Sequence, residues 1–176
     1  MDPKQFWQII ADADRPDLHD HVEALREQLD GLKWFDVVDF QITFEKLARA
    51  ANRPDLWAAA WLVNGDSSPL SFRNFRVWLV GRGREVYEAA LRAPDTLADA
   101  LDGGPADGFG LDRAALRVYE SKTGMSDFYT QVPEPDLRAR PEGGIEVSDE
   151  TELRARFPRL SDRYPPPEDD FDDLPE

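Results

Sequence analysis

Asp55-Leu56-Trp57-Ala58-Ala59-Ala60-Trp61-Leu62-Val63-Asn64-Gly65 and, just beyond it, Phe72-Arg73-Asn74-Phe75-Arg76-Val77-Trp78-Leu79-Val80 decide the fold class of this chain. In the first, Leu56, Ala60 and Val63 fall on one helical face, with Trp57 and Trp61 beside them. In the second, Phe72, Phe75 and Leu79 do the same, with Trp78 alongside. A strand would alternate apolar and polar residues instead. Asn64-Gly65 ends the first helix.

The same spacing runs outward in both directions. Phe6, Ile9, Ile10 and Ala13 predict a first helix, with Pro3 in its first turn, where the missing N–H costs nothing. Leu18, Val22, Leu25 and Leu29 predict a second, ending near Gly31. Val37, Phe40, Phe44, Leu47 and Ala51 predict a third. Val86, Ala90 and Leu97 predict two short helices broken at Pro94. Asp102-Gly103-Gly104-Pro105 and Asp107-Gly108 mark a loop, after which Leu111–Tyr119 reads as helix. Gly81-Arg82-Gly83-Arg84 lacks the spacing of a phosphate-binding loop and reads as a helix end. From Gly124 to Val147 proline and glycine leave room for a short strand at Phe128–Val132 or Ile145–Val147. Ser148-Asp149-Glu150-Thr151-Glu152 reads as a helix start, with Leu153 and Phe157 inward and a stop at Pro158. Pro-Asp pairs at 16–17, 54–55, 94–95 and 135–136 suggest a repeat, but proline and aspartate start helices wherever they stand.

These segments bear a resemblance. Phe6-Trp7, the stretch from Asp55 to Gly65 and the stretch from Phe72 to Val80 resemble a bacterial, actinobacterial family of unknown function. That family opens on a Phe-Trp pair and carries an LW-A-A-aromatic, N-G-G, FR-x-WL signature. Gly83–Leu91, Pro94–Ala98 and Arg156–Leu160 are similar to it as well. The resemblance implies no activity. It does imply a departure: members carry Ser-Asp-Asp before the FR-x-WL helix, where this chain has Ser67-Ser68-Pro69-Leu70, so any cation binding or acid–base work by those acids in relatives is not expected here. If those acids only cap a helix, Ser67 or Ser68 replaces them.

Composition narrows the function classes. The 176 residues suffice for one domain with a real core, and 11% aromatic content excludes disorder throughout. The net charge of −15 repels phosphates and anionic lipid and steers basic partners instead. No cysteine is present, which removes disulfides, thiolate nucleophiles and cysteine-ligated zinc. Neither a signal peptide nor a membrane span of roughly 18 uncharged apolar residues is expected, which points to the cytoplasm.

Few side chains carry chemistry. His19 and His21 are two residues apart, cannot share a metal as an i, i+4 pair can, and are expected in solvent. Asp36, Asp39 and Asp66 have no identifiable partner that would perturb them. Arg76 is more informative: it falls among Phe72, Phe75 and Leu79, so its guanidinium must be hydrogen-bonded, with Asp66 or Asp39 as the expected partner. A site for an acidic ligand group with Arg73 and Arg82 nearby is the functional alternative, walled by Trp57, Trp61 and Trp78.

The reading is an all-α, irregular multi-helix domain over residues 1–160, followed by an acidic, proline-rich disordered tail over residues 161–176. The leading function is non-catalytic binding or regulation of a basic macromolecular partner, without cofactor or metal and without direct contact to nucleic acid or membrane. A small-ligand binder or enzyme using Arg73, Arg76, Trp57, Trp61, Trp78 and Asp66 is the second reading, and a mimic of DNA charge the third.

Overall fold

The computed structural model describes residues 1–66, 68–134, 141–143 and 149–165. Helices α1 (Pro3–Ala13), α2 (Leu18–Asp30), α3 (Trp34–Ala50), α4 (Pro54–Asn64), α5 (Pro69–Gly81) and α6 (Arg84–Arg92) follow one another with short breaks. A 3-10 turn at Pro94–Asp99 and a second at Leu111–Arg113 lead into α7 (Ala114–Thr123). Short helices α8 (Phe128–Gln131), α9 (Glu150–Arg156) and α10 (Pro158–Arg163) complete the order. There is no strand among the described residues, so the chain is all-α there.

The apolar stripes become the core. Phe6, Ile9, Ile10 and Ala13 are the buried residues of α1, and Phe6 stacks on Phe40 of α3 at 4.9 Å between centroids. Helix α4 is buried almost all round, from Leu56 to Val63, as expected of a helix surrounded by others. Around it α1 packs on α2, α3 on α5 and α7, and α10 on the first 3-10 turn. Long side chains close the carbonyl ends: Arg53 donates to Leu91 at the end of α6, and Lys122 to Asp30 at the end of α2.

Local chemistry explains the breaks. Ser68 caps α5 by accepting from the Ser71 N–H, so the serine does what a capping acid would do. Gly83 takes φ +88° between α5 and α6, a region only glycine enters without strain. The Pro-Asp pairs share no common role: Asp17 caps α2, Pro54 occupies the first turn of α4, and Asp95 accepts from the Arg159 and Leu160 N–H groups opening α10.

One segment differs from expectation. Phe128–Val132 is not a strand: residues 128–131 form a helical turn, with Phe128 buried against Tyr119 at 5.2 Å between centroids. A strand needs a neighbour to take its backbone hydrogen bonds, and the described residues supply none. The Thr130 N–H instead donates to the Asp127 carbonyl. Ile145–Val147, Pro135-Asp136 and residues 166–176 lie outside the described residues. Helix α10 carries the described fold past residue 160 to Arg163, with Ser161 buried and Tyr164 donating to the Gly104 carbonyl.

Candidate functional site

Two arginines one turn apart on α5 are buried, and they meet different surroundings. Arg76 is fully buried in the core: Nε and Nη1 donate to the Phe72 and Ala48 carbonyls, both at 3.3 Å, and its guanidinium lies over the Phe72 ring. Asp39, one of its expected partners, accepts from the Met1 ammonium at 3.1 Å. Asp66 accepts from the backbone N–H and hydroxyl of Ser68 among its contacts.

Arg73 forms a buried ionic cluster. Its Nη2 donates to Glu45 Oε1 at 2.7 Å and to Asp112 Oδ2 at 3.0 Å. Gln41, one turn before Glu45 on α3, donates from Nε2 to Glu45 Oε1 and to the Asp112 carbonyl, both at 3.0 Å. Two acceptors on that nitrogen fix the orientation of the amide. Gln41, Glu45 and Arg73 are each 2% exposed. Three elements therefore converge: α3, α5 and the turn Leu111–Arg113. Burial pushes the Glu45 carboxyl above its ordinary range, against the pull of Arg73.

The cluster is only half satisfied. Gln41 Oε1, Glu45 Oε2, Arg73 Nε and Arg73 Nη1 are buried and have no hydrogen-bond partner among the described residues. Native proteins leave few such atoms, and several in one cluster call for an explanation. These side chains line a cavity of about 140 Å³ with Asn74, Asp112 and Arg113. Its remaining lining is apolar and exposed: Leu70 (60%), Phe109 (55%) and Tyr129 (48%). Arg113 lies over the Phe109 ring at 5.4 Å. The cavity thus pairs a polar, buried side with a rim of exposed apolar side chains.

Two other openings are less suited. The larger, about 350 Å³, is lined by Asp14, His21, Trp78, Arg82, Asp99, Asp102 and Asp107, among others. Arg82 Nη1 donates to Asp14 at 2.7 Å, and Arg15 Nη1 to the Asp12 and Asp14 carbonyls. Arg82 Nε and His21 Nε2 are buried without a partner among the described residues, two such atoms against four in the Arg73 cavity. His21, expected in solvent, is 4% exposed. Its ring turns Cε1 and Nε2 toward Gly81, where a Cβ would stand 3.2 Å from Cε1. Burial lowers the His21 pKa more than Asp14 raises it. The third opening, about 300 Å³, holds Asp66 and Ser68 and shares Leu70 and Asn74 with the Arg73 cavity.

The side chains singled out by sequence take several places. Arg73 lines the ionic cavity, Trp78 the largest opening and Asp66 the third. Arg76 and Trp57 belong to the core, and Trp61 is half-buried against it. Gln41, Glu45, Asp112, Leu70, Phe109 and Tyr129 were not anticipated. The available signal was Gln41 and Glu45, two polar residues set i, i+4 beside Phe40 and Phe44 on a helix whose apolar face is buried. Among the described residues no three His, Asp or Glu side chains cluster as metal ligands.

A family model described as "Protein of unknown function (DUF4240)" matches residues 1–122. The chain belongs to this family. Gln41, Glu45, Arg73 and Asp112 lie inside the part matched to DUF4240, and Tyr129 lies beyond it. No curated protein and no solved structure matches the chain.

Proposed function

We propose that this DUF4240 protein is a non-catalytic binding protein whose small polar ligand enters the Arg73–Glu45 cavity. The observation that carries the reading is the set of four buried polar atoms without partners, on three side chains that line one cavity. A buried ion pair is weak evidence for stability, because apolar residues of similar volume serve a fold as well or better. Polar atoms that find no partner on the protein are met by water or by a ligand, and a cavity beside them gives either a place. The test is retention. The purified protein is equilibrated with a metabolite extract, washed, and its bound molecules are identified by mass spectrometry beside those of Phe109→Ala. Exposed Phe109 is not needed for the core, so a molecule held by the wild type and lost from the variant supports the site. Equal retention by both proteins places the ligand elsewhere, and chemical conversion of the retained molecule makes the protein an enzyme.

A basic macromolecular partner is the second reading. It draws on the net charge of −15 and on Asp102 and Asp107 at the opening of about 350 Å³, whose Asp14 and Asp99 are paired with Arg82 and Arg159. An exposed acidic rim of this kind attracts cationic side chains over a Debye length.

A further inference from the structure

The chemistry of the cavity floor restricts what it can hold. Two of the atoms without partners are donors, Arg73 Nε and Nη1, and two are acceptors, Glu45 Oε2 and Gln41 Oε1. The acceptor character of Gln41 is not adjustable, because turning the amide over would forfeit the two bonds its nitrogen makes to Glu45 and Asp112. A complementary group must therefore offer both an acceptor and a donor.

Charge narrows the choice further. Arg73 and Arg113 bring two positive charges to the cavity, and Glu45 and Asp112 bring two negative ones when ionised. An anionic head would face both carboxylates and would have to take Arg73 from partners at 2.7 and 3.0 Å. A cationic head would be buried beside a guanidinium. Like charges so placed, away from water, repel strongly. A neutral head with a large dipole avoids both costs and satisfies both halves of the floor.

Size and rim set the rest. About 140 Å³ is well below the roughly 300–1,000 Å³ of cavities that enclose a drug-sized ligand, so the cavity takes a head group and leaves the body outside. What the body meets there is Leu70, Phe109 and Tyr129.

We infer that the cavity binds a neutral carboxamide-type head, its oxygen accepting from Arg73 and its N–H donating to Glu45 and Gln41, with an apolar body lying on Leu70, Phe109 and Tyr129. The inference rests on the small-ligand reading above and specifies its chemistry.

A matched set of probes tests it. Hexanamide, hexanoate and hexylamine share one apolar body and differ in the head, acetamide keeps the head without the body, and N-acetylglutamine methylamide carries the head on a peptide backbone. Dissociation constants come from amide chemical shifts of the full chain at neutral pH. Hexanamide should bind at least about tenfold more tightly than hexanoate or hexylamine, with shifts centred on residues 41–45, 70–74 and 109–113. Acetamide should bind more weakly than hexanamide, and Phe109→Ala should weaken hexanamide at least about threefold while leaving the rest of the spectrum in place. Preference for hexanoate or hexylamine at the same residues overturns the carboxamide head but keeps the small-ligand site. Tighter binding of the glutamine probe than of hexanamide overturns the apolar body. If no probe moves these resonances at concentrations up to solubility, both the inference and the small-ligand reading fall.

Discussion

Glu45 and Arg73 touch at 2.7 Å, and each side chain is almost wholly buried. Removing one partner from such a pair strands the other. Arg73→Ala is therefore expected to cost about 3–5 kcal/mol in denaturant unfolding, whereas replacing both residues with methionine should be close to neutral or stabilising. A single-variant loss below about 1 kcal/mol would show that water already reaches the pair. The carboxyl also makes a pH prediction. Burial raises the folded pKa of Glu45 above its unfolded value, so the folded state holds the proton more tightly. Its stabilising contribution is full below the ordinary glutamate value of about 4.3 and is lost as pH rises through the raised folded value. Wild type should accordingly lose stability relative to Glu45→Gln as pH climbs through that window. A difference between the two proteins that does not change with pH, or that grows in favour of wild type, would refute the raised carboxyl. Arg76 was legible as an arginine in an apolar stripe, because helical spacing alone puts it among Phe72, Phe75 and Leu79. That Arg73 meets Glu45, 28 positions earlier, and Asp112, 39 later, depends on how helices pack.

At the scale of elements, α5 is the organiser. Its N-terminal turn frames two cavities through Leu70 and Asn74, and its C-terminal half meets the loop over residues 101–110. That loop is fastened twice: Asn64 and Ala106 exchange amide hydrogen bonds, and the Gly108 N–H donates to the Asn74 carbonyl at 3.1 Å. Gly108 runs so close to α5 that a Cβ would stand 2.3 Å from the Trp78 nitrogen. Backbone cannot yield as a side chain does. Gly108→Ala is expected to cost about 1–3 kcal/mol, in the range of overpacked positions, and to shift the resonances of Phe109 and Asp112 as the loop moves off. An unchanged melting temperature would mean that the loop has more room than this contact implies. The helices themselves were legible because local periodicity and caps define them. The Phe128–Gln131 turn was not, since a stretch as short as Phe128–Val132 sets no period of its own and the choice fell to Phe128 finding Tyr119.

At the scale of the molecule, net charge of −15 governs encounter rather than shape. If a basic protein binds the acidic rim of the largest opening, its on-rate should fall steeply as salt shortens the screening length to about 8 Å at physiological ionic strength, while the off-rate changes less. Stopped-flow association across a salt series is the measurement, and association insensitive to salt would remove charge steering from the account. Among the described residues no helix is long and apolar enough to cross a membrane.

By itself the sequence determined the class of the fold, the described helices other than α8 and α10, many of the apolar core-facing residues of α1 to α5 though not His21, Gln41 or Glu45, and the family. All of these depend on neighbours within about one to four residues, through helical periodicity, caps and breakers. Tertiary structure alone decided the candidate site. Gln41 and Glu45 come from one helix, Arg73 and Asn74 from another, Asp112 from a turn, and Phe109 and Tyr129 from segments whose local sequence fixes little. Such a site is a meeting of surfaces distant in the chain, and the free energy that brings them together is the burial of Phe40, Phe44, Phe72 and Phe75 around it, not any preference of the polar residues for one another.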